Sequence, residues 1–157
     1  MNYLNLIDSD HTEALGAALW QAAPEKYRVF LLGDLGAGKT TLVRGLLRAA
    51  GYDGTVKSPT YNLLESYRIG EREVLHFDLY RLKDPEELEL IGMNDYLSQT
   101  ALCLIEWPQM GEGYLPAADL TIALQSRGDG RIAALQTTDS AVMEKIKLFW
   151  KNKDLLL

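Results

Sequence analysis

Apolar residues recur at helical spacing in three segments of this 157-residue chain. These segments span residues 10–23, 39–50 and about 142–150. Asp10 and Glu13 resemble a capping box at the start of the first helix, and Gly51 is placed to cap the second. A shorter helix is predicted after Asp84, because a proline and acidic residues follow it at first-turn positions.

Strand patterns fill the segments between these helices. Two short and almost continuous apolar runs, residues 28–32 and 101–105, are typical of strands covered on both faces. Two pairs of segments flank polar, glycine-containing turns and predict antiparallel hairpins. These pairs are residues 61–68 with 73–80 and residues 120–124 with 131–136. We therefore expect one three-layer α/β domain over residues 1–157. Its mixed, partly antiparallel β-sheet is flanked by helices, and a C-terminal helix and tail begin at about residue 139.

Composition narrows the class of protein. Hydrophobic residues make up 47% of the chain, which supports one packed core and excludes a disordered or collagen-like chain. The longest apolar runs are too short to span a membrane, and no basic segment leads into an apolar run at the N-terminus. The single cysteine, Cys103, has no partner for an internal disulfide, so we expect a cytoplasmic protein. A sequence pI near 4.9 argues against a protein that binds nucleic acid without a partner, because such binding needs a basic surface.

The segment between the first apolar run and the second helix has the chemistry of a phosphate-binding loop. Its sequence is Gly33-Asp34-Leu35-Gly36-Ala37-Gly38-Lys39-Thr40. This matches the P-loop pattern G-x-x-x-x-G-K-[ST], in which glycines let backbone N–H groups point at phosphate oxygens. Lys39 would reach the β- and γ-phosphates, the Thr40 hydroxyl would bind Mg²⁺, and Thr41 could donate to the α-phosphate. Residues 33–41 therefore predict nucleotide binding in a P-loop NTPase-like fold.

Two predicted strands end in an acidic residue. Glu106 follows four apolar residues, which is the Walker B arrangement with glutamate in place of aspartate, and Asp78 ends a less apolar version. Both would face the crevice at the carboxyl ends of the strands, where open α/β sheets bind ligands. We assign Glu106 to Mg²⁺ and Asp78 to the attacking water, although the two roles could be exchanged. Together with Lys39, these acids form the expected catalytic set.

Four other residues have a structural and a functional interpretation. Ser58 and Thr60 lie in the loop after the P-loop helix, where switch-type segments sense the γ-phosphate. His76 alternates with apolar neighbours, which favours a half-buried structural histidine over a catalytic one. Trp107 follows Glu106, so its ring either seals the site or packs in the core.

Three classes of nucleotide enzyme fit a P-loop. A signalling-type GTPase is disfavoured, because no glycine completes an Asp-x-x-Gly motif after Asp78 and no Asn-Lys-x-Asp motif follows a strand. A small-molecule kinase remains the alternative, although residues 52–80 are typical of a loop and hairpin rather than an arginine-bearing lid. An ATPase that drives a partner's cycle suits a chain too small for a separate substrate domain.

Four motifs together resemble the bacterial TsaE family, also called YjeE. They are GDLGAGKTT at residues 33–41, VKSPTY at 56–61, HFDLYRL at 76–82 and Glu-Trp-Pro at 106–108. The resemblance covers about residues 12–131. It implies an ATPase needed for the threonylcarbamoyladenosine modification of tRNA next to the anticodon. Its partners would be TsaD and TsaB, which would hold the tRNA, so that this chain meets RNA only indirectly and needs no membrane.

The resemblance also implies a cofactor and site residues. ATP would be the substrate and Mg²⁺ the cofactor, with the P-loop on the phosphates, Glu106 on the metal and Asp78 in catalysis. Thr12 and Arg131 match family positions near the nucleotide. Hydrolysis by the chain alone is expected to be slow and to be stimulated by partners, because isolated switch-type NTPases often lack a fully assembled site.

Overall fold

The computed structural model describes residues 2–57, 59 and 62–152, which contain seven strands and five α-helices. The strands are β1 (Asn2–Leu6), β2 (Tyr27–Leu32), β3 (Leu64–Ile69), β4 (Arg72–Asp78), β5 (Leu102–Glu106), β6 (Leu120–Arg127) and β7 (Gly130–Thr137). The helices are α1 (Ser9–Ala22), α2 (Lys39–Ala49), α3 (Glu87–Leu90), α4 (Met93–Leu97) and α5 (Ser140–Lys151), and a 3-10 helix spans Pro108–Gly111. None of the described helices is both long and apolar enough to cross a bilayer.

The strands form one mixed sheet in the order β1-β7-β6-β2-β5-β4-β3. The central strands β6, β2, β5 and β4 run parallel to their neighbours in this group, whereas β7, β1 and β3 pair antiparallel at the two sides. Consequently the carboxyl ends of β2, β4 and β5 lie at one end of the sheet. The P-loop follows β2 there, and Asp78 pairs in register with Glu106. The predicted α/β fold with a mixed, partly antiparallel sheet is confirmed.

Helices cover both faces of the sheet. Buried residues of α1, α2 and α5 pack on one face in the larger hydrophobic cluster, and those of α3 and α4 pack on the other face in a smaller one. Because successive strand residues point to opposite faces, Val74 and Leu104 join the larger cluster, whereas Leu75 and Ile105 join the smaller. Three layers result, as predicted.

Two glycines allow α1 and α2 to pack in direct backbone contact. A Cβ atom at Gly16 would lie 2.0 Å from the carbonyl oxygen of Leu42. A Cβ atom at Gly45 would lie 2.1 Å from the carbonyl oxygen of Glu13. Any larger residue would force the two helices apart, since close-packed interiors leave no spare volume. The contact holds the start of α1 next to the P-loop helix.

The first helix begins earlier than its sequence pattern predicts. Asp8 is the N-cap of α1, and its carboxylate accepts a hydrogen bond from the His11 backbone N–H at 2.9 Å. Asp10 lies inside the first turn, so the predicted capping box with Glu13 is wrong. The cap falls at Asp8 because β1 ends at Leu6 and the chain is still extended at Asp8, as an N-cap requires.

The short elements outside the predicted set are β1, one of the two helices α3 and α4, and the 3-10 helix. β1 is a five-residue strand with little apolar alternation, and its pairing partner β7 is at the far end of the chain. The predicted short helix is two helices, α3 and α4, because Gly92 adopts a left-handed conformation and separates them. Regular α3 geometry starts at Glu87, whose carboxylate accepts hydrogen bonds from the N–H groups of Lys83 and Asp84 in the preceding turn.

Candidate functional site

Left-handed glycines shape the loop between β2 and α2. Gly36 has a φ of 80° and Gly38 a φ of 105°, values that residues with a side chain rarely adopt. Gly38 directly precedes α2 and supplies no side-chain cap. Among the described residues no side chain caps the first turn of α2, and the positive end of the helix dipole lies in the loop. Such a terminus favours a bound anion.

A cavity of about 250 Å³ opens at this helix terminus. Six residues of the predicted phosphate loop line it: Leu35, Gly36, Gly38, Lys39, Thr40 and Thr41. Asp78, Glu106, Trp107 and Arg131 complete its lining. Gly33, Asp34 and Ala37 complete the turn behind it, where the Ala37 N–H donates to the Asp34 carbonyl oxygen at 3.0 Å. The cavity therefore unites the P-loop with both predicted acids.

Three neighbours hold the Lys39 side chain. Its Nζ donates to the carbonyl oxygen of Gly33, lies 4.0 Å from Oε1 of Glu106 and sits 4.2 Å from the ring centroid of Trp107. Burial lowers the pKa of the Lys39 ammonium below its usual range, and three nearby carboxylates act in the opposite direction. The cation is thus held beside Glu106 in the lining of the cavity.

The two predicted acids lie side by side but differ in their surroundings. Glu106 is 3% exposed, and its Oε2 is 2.5 Å from Nε2 of His76. Asp78 is half-buried, and its Oδ1 accepts a hydrogen bond from the Tyr80 N–H at 3.0 Å. Glu106 is therefore the more constrained acid, and Asp78 lies closer to solvent.

The oxygen ligands present fit Mg²⁺ bound together with phosphate. Mg²⁺ prefers hard oxygen ligands and usually keeps several waters and substrate phosphates. The Thr40 hydroxyl and the carboxylates of Asp78 and Glu106 line the same cavity. Within the described part of the chain, no cluster of three or more metal-binding side chains exists. The oxygen-bearing side chains of Thr40, Asp78 and Glu106 suit a metal ion that also takes water and phosphate ligands.

Four polar or charged side chains are buried among the residues described. They are Thr12, Lys39, His76 and Glu106. Burying such groups lowers stability unless they have partners, and both Lys39 and His76 contact Glu106.

The structure places both Thr12 and Arg131 next to Gly38 of the loop. The Thr12 methyl carbon lies 3.6 Å from the position that a Cβ on Gly38 would take. Arg131 donates from Nε to the Ala37 carbonyl oxygen at 2.9 Å and from a terminal nitrogen to the Gly36 carbonyl oxygen at 3.0 Å. Both residues also line an adjoining cavity of about 350 Å³, between the start of α1 and the β6–β7 turn.

The predicted switch residues, Ser58 and Thr60, lie outside the residues that the structure describes. Their proposed role in sensing the γ-phosphate therefore stays a prediction.

Sequence patterns did not predict the contacts of two residues next to the acids, His76 and Trp107. His76 was expected to be half-buried, but it is fully buried under the larger cluster and contacts Glu106. Its position two residues before Asp78, on the same strand face, was the available signal. Trp107 has a left-handed φ of 54°, which is uncommon for a residue with a side chain. That turn lays its ring over Lys39 and 4.9 Å from the ring of Tyr80.

A larger groove, of about 700 Å³, lies near α3 and α4 on the other face of the sheet. Its lining includes Glu89 and Asp95 and no basic side chain. A groove that presents carboxylates without a cation is unsuited to phosphate, so the smaller cavity at the P-loop is the candidate nucleotide site.

Comparison with known proteins gives concordant matches. A family model described as "Threonylcarbamoyl adenosine biosynthesis protein TsaE" matches residues 6–133. A Haemophilus influenzae protein named tRNA threonylcarbamoyladenosine biosynthesis protein TsaE is 54% identical over 103 residues, which is 66% of this chain and 65% of that protein. The match thus spans just under two thirds of that relative's length.

A Bacillus subtilis protein of the same name is 33% identical over 123 residues, covering 78% of this chain and 77% of that protein. Among solved structures, Bacillus subtilis YdiB superposes with a TM-score of 0.73 at 24% identity and covers 96% of this chain and 95% of its own. At that identity, the structural match supports the fold.

Proposed function

This chain belongs to the TsaE family, and from that premise we propose that it is an ATPase of tRNA threonylcarbamoyladenosine biosynthesis. It binds ATP with Mg²⁺ and, by hydrolysis, supports a TsaB–TsaD complex in threonylcarbamoylation of the tRNA adenosine next to the anticodon. The observation that carries the proposal is the uncapped start of α2, which opens into one cavity with Lys39, Asp78 and Glu106.

In this proposal the P-loop backbone and Lys39 bind the phosphates. The first-turn N–H groups of α2 donate to phosphate oxygens, and the Lys39 ammonium neutralises their charge. Thr40 and Glu106 would hold Mg²⁺, which would supply positive charge beside the terminal phosphate. Asp78 is more exposed than Glu106 and orients the attacking water.

The adjoining cavity suits the sugar and base of the nucleotide. It shares Gly38, Thr41 and Arg131 with the phosphate cavity, so the two are continuous along the loop. Thr12 forms part of its wall. A nucleotide whose phosphates lie at the start of α2 would extend in this direction.

An acidic protein can serve RNA modification when a partner holds the RNA. The formal net charge of −6 disfavours direct tRNA binding by this chain. We infer instead that the ATP-bound form stabilises one conformation of the TsaB–TsaD complex and that hydrolysis resets it. Such a cycle requires different affinities of the complex for the ATP-bound and ADP-bound forms.

The test is phosphate release from ATP and Mg²⁺, measured for the chain alone and with purified TsaB and TsaD. We expect slow release by the chain alone and at least about tenfold stimulation by the partners, since an assembled site completes a switch-type NTPase. The Lys39→Ala variant is the matched control and should show neither rate. Equal rates with and without TsaB and TsaD would contradict the coupled cycle.

The same assay separates this function from a small-molecule kinase. A kinase would form ADP while transferring phosphate to an acceptor, so free phosphate would lag behind ADP. The proposed ATPase yields the two products in equal amounts.

A further inference from the structure

His76 is a polar side chain in an apolar part of the sheet. It is 0% exposed on β4, where Val74 shares its strand face and Leu104 is its registered partner on β5. Both neighbours belong to the larger apolar cluster. The Nδ1 atom of His76 is buried and has no hydrogen-bond partner within the described ranges. Because an unpartnered buried nitrogen lowers stability, packing alone favours an apolar residue at this position.

The other ring nitrogen of His76 contacts the candidate site. Nε2 lies 2.5 Å from Oε2 of Glu106, and a carboxylate oxygen accepts, so the ring donates. The second oxygen of Glu106, Oε1, lies 4.0 Å from Nζ of Lys39. One carboxylate oxygen is therefore held by the imidazole while the other is presented to the cation of the P-loop.

This contact restricts rotation of the Glu106 carboxylate about its terminal torsion. The terminal torsion of glutamate has a broad energy minimum, so the carboxylate plane of Glu106 turns easily without a fixed partner. A donor inside the sheet fixes that plane and does not occupy the cavity. His76 is not among the residues that line the cavity, so its influence on a bound ligand passes through Glu106.

We propose that His76 is a positioning residue, whose Nε2–H orients Glu106 toward Lys39 and toward the Mg²⁺ that Glu106 and Thr40 would hold. The inference rests on the proposed ATP–Mg²⁺ site and adds to it a residue outside the phosphate cavity. Partners that orient metal ligands typically change activity or metal affinity by about 10- to 100-fold when removed.

Three substitutions at His76 separate positioning from packing. His76→Gln places an amide N–H near the position of Nε2, His76→Asn places one near Nδ1, and His76→Leu supplies none. We expect the leucine and asparagine variants to lower kcat by about 10- to 100-fold and, because Mg²⁺ contributes to nucleotide affinity, to raise KM for ATP by about tenfold. The glutamine variant should recover at least a third of the parental kcat. Parental kcat in His76→Leu, or equal losses in the leucine and glutamine variants, would overturn the proposal.

A double-substitution cycle tests whether His76 acts through Glu106. In a Glu106→Gln background, His76→Leu should change kcat by less than about twofold, because the carboxylate it orients is gone. Independent, multiplying losses would show that His76 acts by another route.

A binding measurement gives a readout that does not require turnover. Calorimetric titration with ADP, in Mg²⁺ and in EDTA, gives the gain in affinity due to the metal. His76→Leu should reduce that gain by about tenfold while its affinity in EDTA stays within twofold of the parent. An unchanged metal gain in His76→Leu would overturn the inference.

The neighbouring strand offers a matched control. Cys103 is buried on β5, in register with Leu75, and belongs to the smaller cluster on the opposite face. Cys103→Ala should leave kcat and the metal gain within twofold. If the parent neither binds nor hydrolyses ATP, the proposed function fails and this inference falls with it. If the parent does both and only the His76 effects are missing, the inference alone fails.

Discussion

The two helical layers on either side of the sheet differ in length and in what they bury. On the P-loop face, α1, α2 and α5 have 14, 11 and 12 residues, and α1 and α2 touch through glycines. On the other face, α3 and α4 have four and five residues, and Leu90 of α3 is 85% exposed. Both helical layers pack against the same parallel strands.

The buried polar side chains also lie on one of these two faces. The four buried polar side chains of the described chain belong to α1, to α2 or to the strand positions beneath them. The smaller cluster under α3 and α4 contains apolar residues and Cys103. Because strand alternation decides which side chains meet the P-loop helix, one face can hold charge while the other closes the core. Substitutions on the two faces should therefore have different consequences.

The largest effect is expected from Lys39→Ala on the P-loop face. Removing the buried cation that faces the phosphates should weaken ATP binding by about 3 kcal/mol, or roughly 150-fold, measured by calorimetry. Lys26→Ala is the control, because Lys26 is exposed next to the amino end of β2 and donates to the Ser98 carbonyl oxygen. Affinities within threefold of each other for the two variants would contradict the assignment of Lys39.

Asp78→Asn should mainly reduce turnover. The amide keeps the size of the side chain but loses its charge, so kcat should fall by about 100-fold while ATP affinity changes by less than about threefold. Asp95→Asn, on α4 of the other layer, should leave both quantities unchanged. Phosphate release and calorimetry give the two numbers, and a loss confined to affinity would assign Asp78 to binding instead.

Gly45→Ala tests the packing of the P-loop face. The added Cβ would overlap the backbone of Glu13, so the free energy of unfolding should fall by about 2 kcal/mol in urea titrations. Leu90→Ala in α3, on the other face, should change the free energy of unfolding by less than about 0.5 kcal/mol, since Leu90 is largely exposed. Equal losses for the two variants would remove the distinction between the layers.

The smallest effect at neutral pH concerns Cys103, in the smaller cluster on the other face of the sheet. Burial raises the pKa of the Cys103 thiol to about 11, from a usual value of 9.0. The unfolded chain therefore loses this proton first, and stability should fall as pH rises from 9 toward 11, with no contribution below pH 8. Cys103→Ala should show a flatter decline above pH 9 than the parent. Identical curves over that range would contradict the buried thiol.

Local sequence patterns were sufficient to predict the glycine-rich loop and the positions of both acids at the ends of strands. A glycine-rich turn between an apolar strand and an amphipathic helix is a contiguous pattern, and Glu106 and Asp78 each end a recognisable strand. The contact between His76 and Glu106 is different, because it depends on the register between β4 and β5. No short window of sequence encodes that register.

Pairing between strands that are distant in sequence also explains why β1 and the true start of α1 were not predicted. β1 exists because its five residues pair with β7, which is distant in sequence, and that strand in turn moves the cap of α1 to Asp8. The left-handed backbone at Trp107 is likewise a tertiary feature, since the ring contacts Lys39 and Tyr80 and packs against the smaller cluster. Sequence patterns predicted the positions of the chemical groups, and tertiary packing determines their orientation.

The central claim is that the start of α2 binds the phosphates of a nucleotide, and the most direct test varies the number of phosphates. The parent chain is titrated calorimetrically with ATP, ADP and AMP in the presence of Mg²⁺. Charge-assisted contacts to the terminal phosphates should make ATP and ADP bind at least about 30-fold more tightly than AMP. Equal affinity for AMP and ATP, or no binding of any of the three, would contradict the account.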